Sequence, residues 1–130
     1  MILPIALTTA GAAALVNMWL ATRIGRVRIA EKISIGDGGN PKLIARMRAQ
    51  LNFVENTAFV LILIAAIELA GKGHAWLGWV SMIYMLGRVA HGLGMDGGAL
   101  AKGRSVGTAI TMLTQLGLAI VAVLVALGRM

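Results

Sequence analysis

Arg48, Asn52 and Glu55 recur at intervals of four and three residues, and Arg88 and His91 at an interval of three. At about a hundred degrees per helical residue, these spacings put each set on one face of its helix. Phe59 continues the first stripe, while Tyr84 and Met95 flank the second. Guanidinium groups clamp carboxylates and a glutamate takes an ammonium, so the set suits a small zwitterion with several carboxylates. Arg104 and Ser105 open the last apolar segment, where free backbone N–H groups and the helix dipole add to an arginine's pull on an anion. The competing reading is purely architectural: Arg48 with Glu55, and Arg88 with His91, as pairs that fix helix packing.

The elements that must carry these residues are membrane helices. Only 13% of the 130 residues are charged and 58% are hydrophobic, too apolar a balance for the water-facing surface of so short a domain. The excess must face lipid. We read the chain as a single all-α transmembrane domain, an integral membrane four-helix bundle with spans at about residues 2–22, 41–70, 75–94 and 105–127. Asn40-Pro41 reads as a helix N-cap followed by a proline in the first turn, so the second helix should start well before its apolar part. Gly71-Lys72-Gly73 closes that helix, and Trp76 and Trp79 open the next. An ionisable side chain inside a span is costly enough to be a functional hypothesis by default, which is why the two stripes stand out.

The formal net charge of +7 suggests nucleic acid at first sight, but most of the basic residues lie between apolar stretches and orient the spans instead. Arg23, Arg26, Arg28, Lys32, Lys42, Arg46 and Arg48 outnumber Glu31 and Asp37 in the first connection. Lys102 and Arg104 mark the third, and the second has only Lys72. Both basic connections should therefore be cytoplasmic, with both termini on the opposite side. There is no cysteine, hence no disulfide framework, thiolate metal site or cysteine nucleophile in the chain itself. His74 and His91 fall at opposite ends of the third helix, so we expect no metal site. The loop Gly36-Asp37-Gly38-Gly39-Asn40 lacks the Lys-Ser/Thr of a phosphate-binding loop and reads as a turn, as does Asp96-Gly97-Gly98. Glu68, close to a helix end, is expected to be solvated, and the eight methionines to serve packing and lipid contact.

The run Arg48-Ala49-Gln50-Leu51-Asn52-Phe53-Val54-Glu55, followed by Arg88-Val89-Ala90-His91 and Arg104-Ser105, resembles the MAPEG proteins: microsomal glutathione transferases, prostaglandin E synthase and leukotriene C synthase. The Gly36–Asn40 loop resembles that of the family's bacterial branch. The resemblance implies a homotrimer of four-helix subunits, set for this branch in a bacterial inner membrane, with glutathione bound between neighbouring subunits. By position it implies that Arg48, Asn52, Glu55, Arg88 and His91 hold glutathione, joined by Arg26 or Arg28 from the first loop. Arg104 and Ser105 would then stabilise and accompany the thiolate. The implied reaction is glutathione-dependent transfer to a hydrophobic small molecule, or peroxidase chemistry. Where relatives often carry tyrosines against glutathione, this chain has Asn56, Met95 and Thr108, and Thr57-Ala58 replaces a common proline. The alternatives are a non-catalytic membrane protein of the same fold that binds glutathione weakly or not at all, and a small four-helix transporter. The absence of a repeat between the two halves counts against an inverted-repeat transporter.

Overall fold

A computed structural model describes all 130 residues and is helical throughout, with helices α1 (Pro4–Glu31), α2 (Pro41–Leu69), α3 (Ala75–Gly94) and α4 (Lys102–Ala126), and one 3-10 turn at Gly98–Leu100. Proline opens α1 and α2, where its missing N–H costs no helical bond. Asn40 caps α2 by accepting from the Leu43 N–H at 3.0 Å. Helix α1 runs on to Glu31 and stops where Lys32 adopts φ 55°. Arg26 and Arg28 therefore stand on the last turns of α1 rather than in the first loop, a correction to the sequence reading. In the loop itself Gly36, Gly38 and Gly39 all take positive φ, and the Asp37 carboxylate accepts from the Gly39 N–H at 2.8 Å. Its glycines serve a tight turn.

Helices α1, α2 and the stretch Gly98–Ala126 are each long and apolar enough to cross a membrane. Helix α3, with Arg88 and His91 in its second half, is not among them, yet its 20 residues reach about 30 Å, the thickness of the hydrocarbon layer. Its two ionisable residues turn inward, Arg88 at 1% and His91 at 4% exposure. Only 24 of 130 residues are buried in the single chain, and large apolar side chains such as Leu15, Phe59, Trp79, Leu113 and Leu116 point outward, the pattern of a surface solvated by lipid. The core runs through Leu20, Phe53, Val60, Ile64, Leu77, Tyr84 and Leu118. Polar pairs cross it between helices: Thr57 with Tyr84 at 2.9 Å, Gln50 with Asn17 at 3.1 Å and Gln115 with Asn56 at 2.7 Å.

Two carboxylates fix the ends of the bundle. Glu68, expected to be solvated, instead accepts from the Ile5 and Ala6 N–H groups at 2.9 and 2.7 Å, so α2 caps the start of α1 with a negative charge at the positive end of its dipole. Asp96, beyond the end of α3, pairs with Arg23 of α1 and Arg46 of α2. The α1–α2 and α3–α4 connections therefore share one end of the bundle, and most of the basic residues lie on the helix ends around them.

Candidate functional site

The most extensive helix pairing is that of α3 with α4, and its cause is a run of glycines. A Cβ added at Gly94 would collide with the Arg104 amide nitrogen, one at Gly103 with the Ala90 carbonyl oxygen, and one at Gly107 with the Gly87 carbonyl and the His91 Cβ. Backbone therefore lies on backbone along this seam, as small residues at four-residue spacing permit. The seam brings the first turn of α4 against the last turn of α3, and so sets Arg104 beside His91.

Helix α2 faces this pair across a cavity of about 880 Å³. Its own stripe contributes Arg48, Asn52 and Glu55, one wall in helical register; α3 adds His91, the residue just past its end adds Met95, and α4 adds Arg104 and Thr108. Arg48, Glu55 and Arg104 are exposed to this space, and their side chains make no ion pair within the chain, whose two ion pairs both belong to Asp96. The packing alternative, Arg48 paired with Glu55, is thus not what the chain does. Met95 and Thr108 lie on the cavity wall, whereas Asn56 bonds to Gln115.

Arg88 is placed differently. It is buried behind the wall, donating to the Thr111 hydroxyl at 2.8 Å and the Asn52 Oδ1 at 2.6 Å, with the His91 Nδ1 at 3.5 Å and the Phe53 ring centroid 6.0 Å away. Its Nε has no hydrogen-bond partner. Ser105 is exposed and lies off the cavity wall, and Arg26 is exposed and borders neither this cavity nor the next. A second cavity, of about 590 Å³ on the α1 side of α2, is bordered by Arg28, Gln50 and Arg48, the last shared with the first cavity. Arg28 is partly committed, donating to the Gly36 carbonyl at 2.8 Å.

Sequence reasoning passed over Asp96 as part of a glycine turn. Burial alone would raise its pKa, but the hydrogen bond from Arg46, the charges of Arg23 and Arg46 and the hydrogen bond from Arg23 together hold it below the ordinary carboxylate value. Arg46 also donates to the Arg23 carbonyl at 2.9 Å and Arg23 to the Gly92 carbonyl at 2.8 Å, so this knot holds α1 and α2 to the segment just outside the cavity. The only sequence signal would have been a lone acid in the α3–α4 connection opposite an excess of arginines.

The sequence matches the family model for MAPEG over residues 6–124, a stretch that contains every residue on the cavity wall. The chain belongs to the MAPEG family. No curated protein matches it. Membership in the MAPEG family, with the long apolar helices, makes the chain an integral membrane protein, and it points to a glutathione-related function.

Proposed function

We propose that this MAPEG protein is a membrane glutathione-dependent transferase or peroxidase, and that the cavity between α2, α3 and α4 is its glutathione site. The observation that carries the reading is the set of uncommitted charges around one cavity, Arg48 and Glu55 on α2 and Arg104 on α4, with Asn52 and His91 also lining it. Charged groups set toward a bilayer without partners mark a ligand or a pathway. The charged set fits glutathione, since the Arg48 guanidinium matches a carboxylate, Glu55 matches the ammonium and Arg104 is left for the thiolate. The volume of about 880 Å³ lies within the range of small-molecule sites.

Glutathione supplies a thiol whose deprotonated form is the nucleophile. Arg104, in the first turn of α4, places a guanidinium at one end of the cavity. That position favours the thiolate over the thiol, whose ordinary pKa is about 8.5. Arg48 and Glu55 orient the peptide from α2. His91, from α3, adds an imidazole that can donate or accept a hydrogen bond. Ser105, off the wall in the single chain, and Arg26 and Arg28, on the α1 side, bear on the site only across a subunit boundary, consistent with a homotrimer. The electrophile is a hydrophobic molecule or hydroperoxide that reaches the cavity from the lipid. By the distribution of basic residues, the connections at the cavity end are cytoplasmic and both termini lie on the other side; the resemblance of the Gly36–Asn40 loop to the family's bacterial branch supports a bacterial inner membrane.

The test is turnover by the purified protein in lipid nanodiscs, with glutathione and either an apolar aryl halide or an organic hydroperoxide. The wild type is expected to form the conjugate or reduce the peroxide, and Arg104→Ala to lose at least about a hundredfold in rate. Glutathione binding without turnover on either substrate would favour the non-catalytic reading. Absence of binding would refute the site.

A further inference from the structure

From the bonding of Arg88 we infer that it is a positioning residue that touches no ligand, and that it fixes the side-chain amide of Asn52 so that Asn52 presents N–H donors to an anionic group in the cavity. The inference rests on the glutathione reading and assigns the recognition chemistry of one wall residue within it. Asn52 carries one acceptor oxygen and one NH₂ group, and either could in principle face the cavity. An arginine has donors only. Its contact with Asn52 at 2.6 Å therefore has to be made to the amide oxygen, which turns the Asn52 Nδ2 away from Arg88.

The arginine cannot easily swing away. It is 1% exposed, its other terminal nitrogen is anchored on Thr111 at 2.8 Å, and the Thr111 hydroxyl donates in turn to the Gly107 carbonyl at 2.8 Å, on the glycine seam. The groups facing Arg88 from the packed helices are Asn52 and Phe53 of α2, Tyr84 and His91 of α3, and Thr111 of α4, none of them a carboxylate. No ion pair neutralises it. Behind the cavity wall there is thus a buried cation that raises the potential at Asn52, where a donor amide already points. Both effects favour an acceptor with negative charge, a carboxylate or thiolate, at that position of the wall.

Asn52→Asp separates this role from a structural one. The aspartate keeps, and strengthens by charge, the bond to Arg88, but it offers the cavity an acceptor in place of the donor. Thermal stability of the ligand-free protein should hold or rise, while glutathione affinity measured by titration calorimetry falls by about tenfold or more. Affinity unchanged or increased in Asn52→Asp would overturn the inference, as would stability and affinity falling together. If the variant does not fold, the wild-type protein selectively labelled at asparagine decides the matter. The Asn52 side-chain NH₂ resonances should move downfield when glutathione is added, and unmoved resonances under saturating ligand would overturn it. Wild-type protein that binds no glutathione at all refutes the proposed function, an outcome distinct from either of these.

Discussion

The two ends of the bundle handle polar groups in opposite ways. At the end where the N-terminus meets the α2–α3 connection, polar side chains are satisfied within the chain: Glu68 caps α1, Thr9 bonds to Ser81, and the Trp76 indole donates to the Lys72 carbonyl at 3.2 Å. At the other end the Asp96 knot is equally closed, but a few residues away Arg48, Glu55 and Arg104 stand around a cavity with no ion-pair partner. In a medium that penalises unpaired charge, the first arrangement holds the fold and the second leaves binding capacity free. The contrast says where a mutation should cost stability and where it should cost affinity.

The largest effect should come from breaking the seam that brings the cavity walls together. Gly107→Val would drive a side chain into the Gly87 carbonyl and His91, and is expected to cost about 3 kcal/mol or more and to abolish glutathione binding. Gly117→Ala, on the same helix with open space around it, should leave thermal unfolding within about half a kcal/mol. Melting of both variants in detergent checks the pair. The two glutamates give the next comparison. Glu68→Gln should lower stability by about 1 kcal/mol and leave glutathione affinity unchanged, since it weakens only the cap on α1. Glu55→Gln should do the reverse, holding stability while affinity drops about tenfold through the lost ammonium contact. Equal behaviour of the two would erase the distinction between the ends.

How much of this could be read from the sequence depended on whether a feature was local to one helix. The register of Arg48, Asn52 and Glu55 follows from helical periodicity, and these residues share one cavity wall. Periodicity says nothing about which neighbour a face meets. Tyr84, Arg88, His91 and Met95 share a stripe, yet Tyr84 and Arg88 pack inward while His91 and Met95 reach the cavity. The reason is that α4 lies so close across the glycine seam that Thr111 takes the arginine's hydrogen bond. Glu68 and Asp96 were misjudged for the same cause. Each looked like an isolated acid near a helix end, and each finds its partners more than 45 residues away in sequence.

The smallest expected effect concerns Asp96. Because its folded-state pKa lies below the ordinary value, its contribution to stability is fully present above the unfolded pKa, about 3.9, and is lost as the pH falls through the lower folded value. Melting temperatures of wild type and Asp96→Asn should therefore differ at neutral pH and converge in acid. A gap that widens as the pH drops would show that the knot at the cavity end is not held by the ionised carboxylate.

The central claim is that the uncommitted charges at one end of the bundle bind glutathione and favour its thiolate. It is tested most directly by the ultraviolet thiolate difference spectrum of the nanodisc-embedded protein, recorded against pH at saturating glutathione. The account predicts a thiolate band at neutral pH for the wild type, displaced to higher pH by about one unit or more in Arg104→Ala. A wild type with no thiolate band below the pH at which free glutathione ionises, or an identical titration in Arg104→Ala, would contradict it.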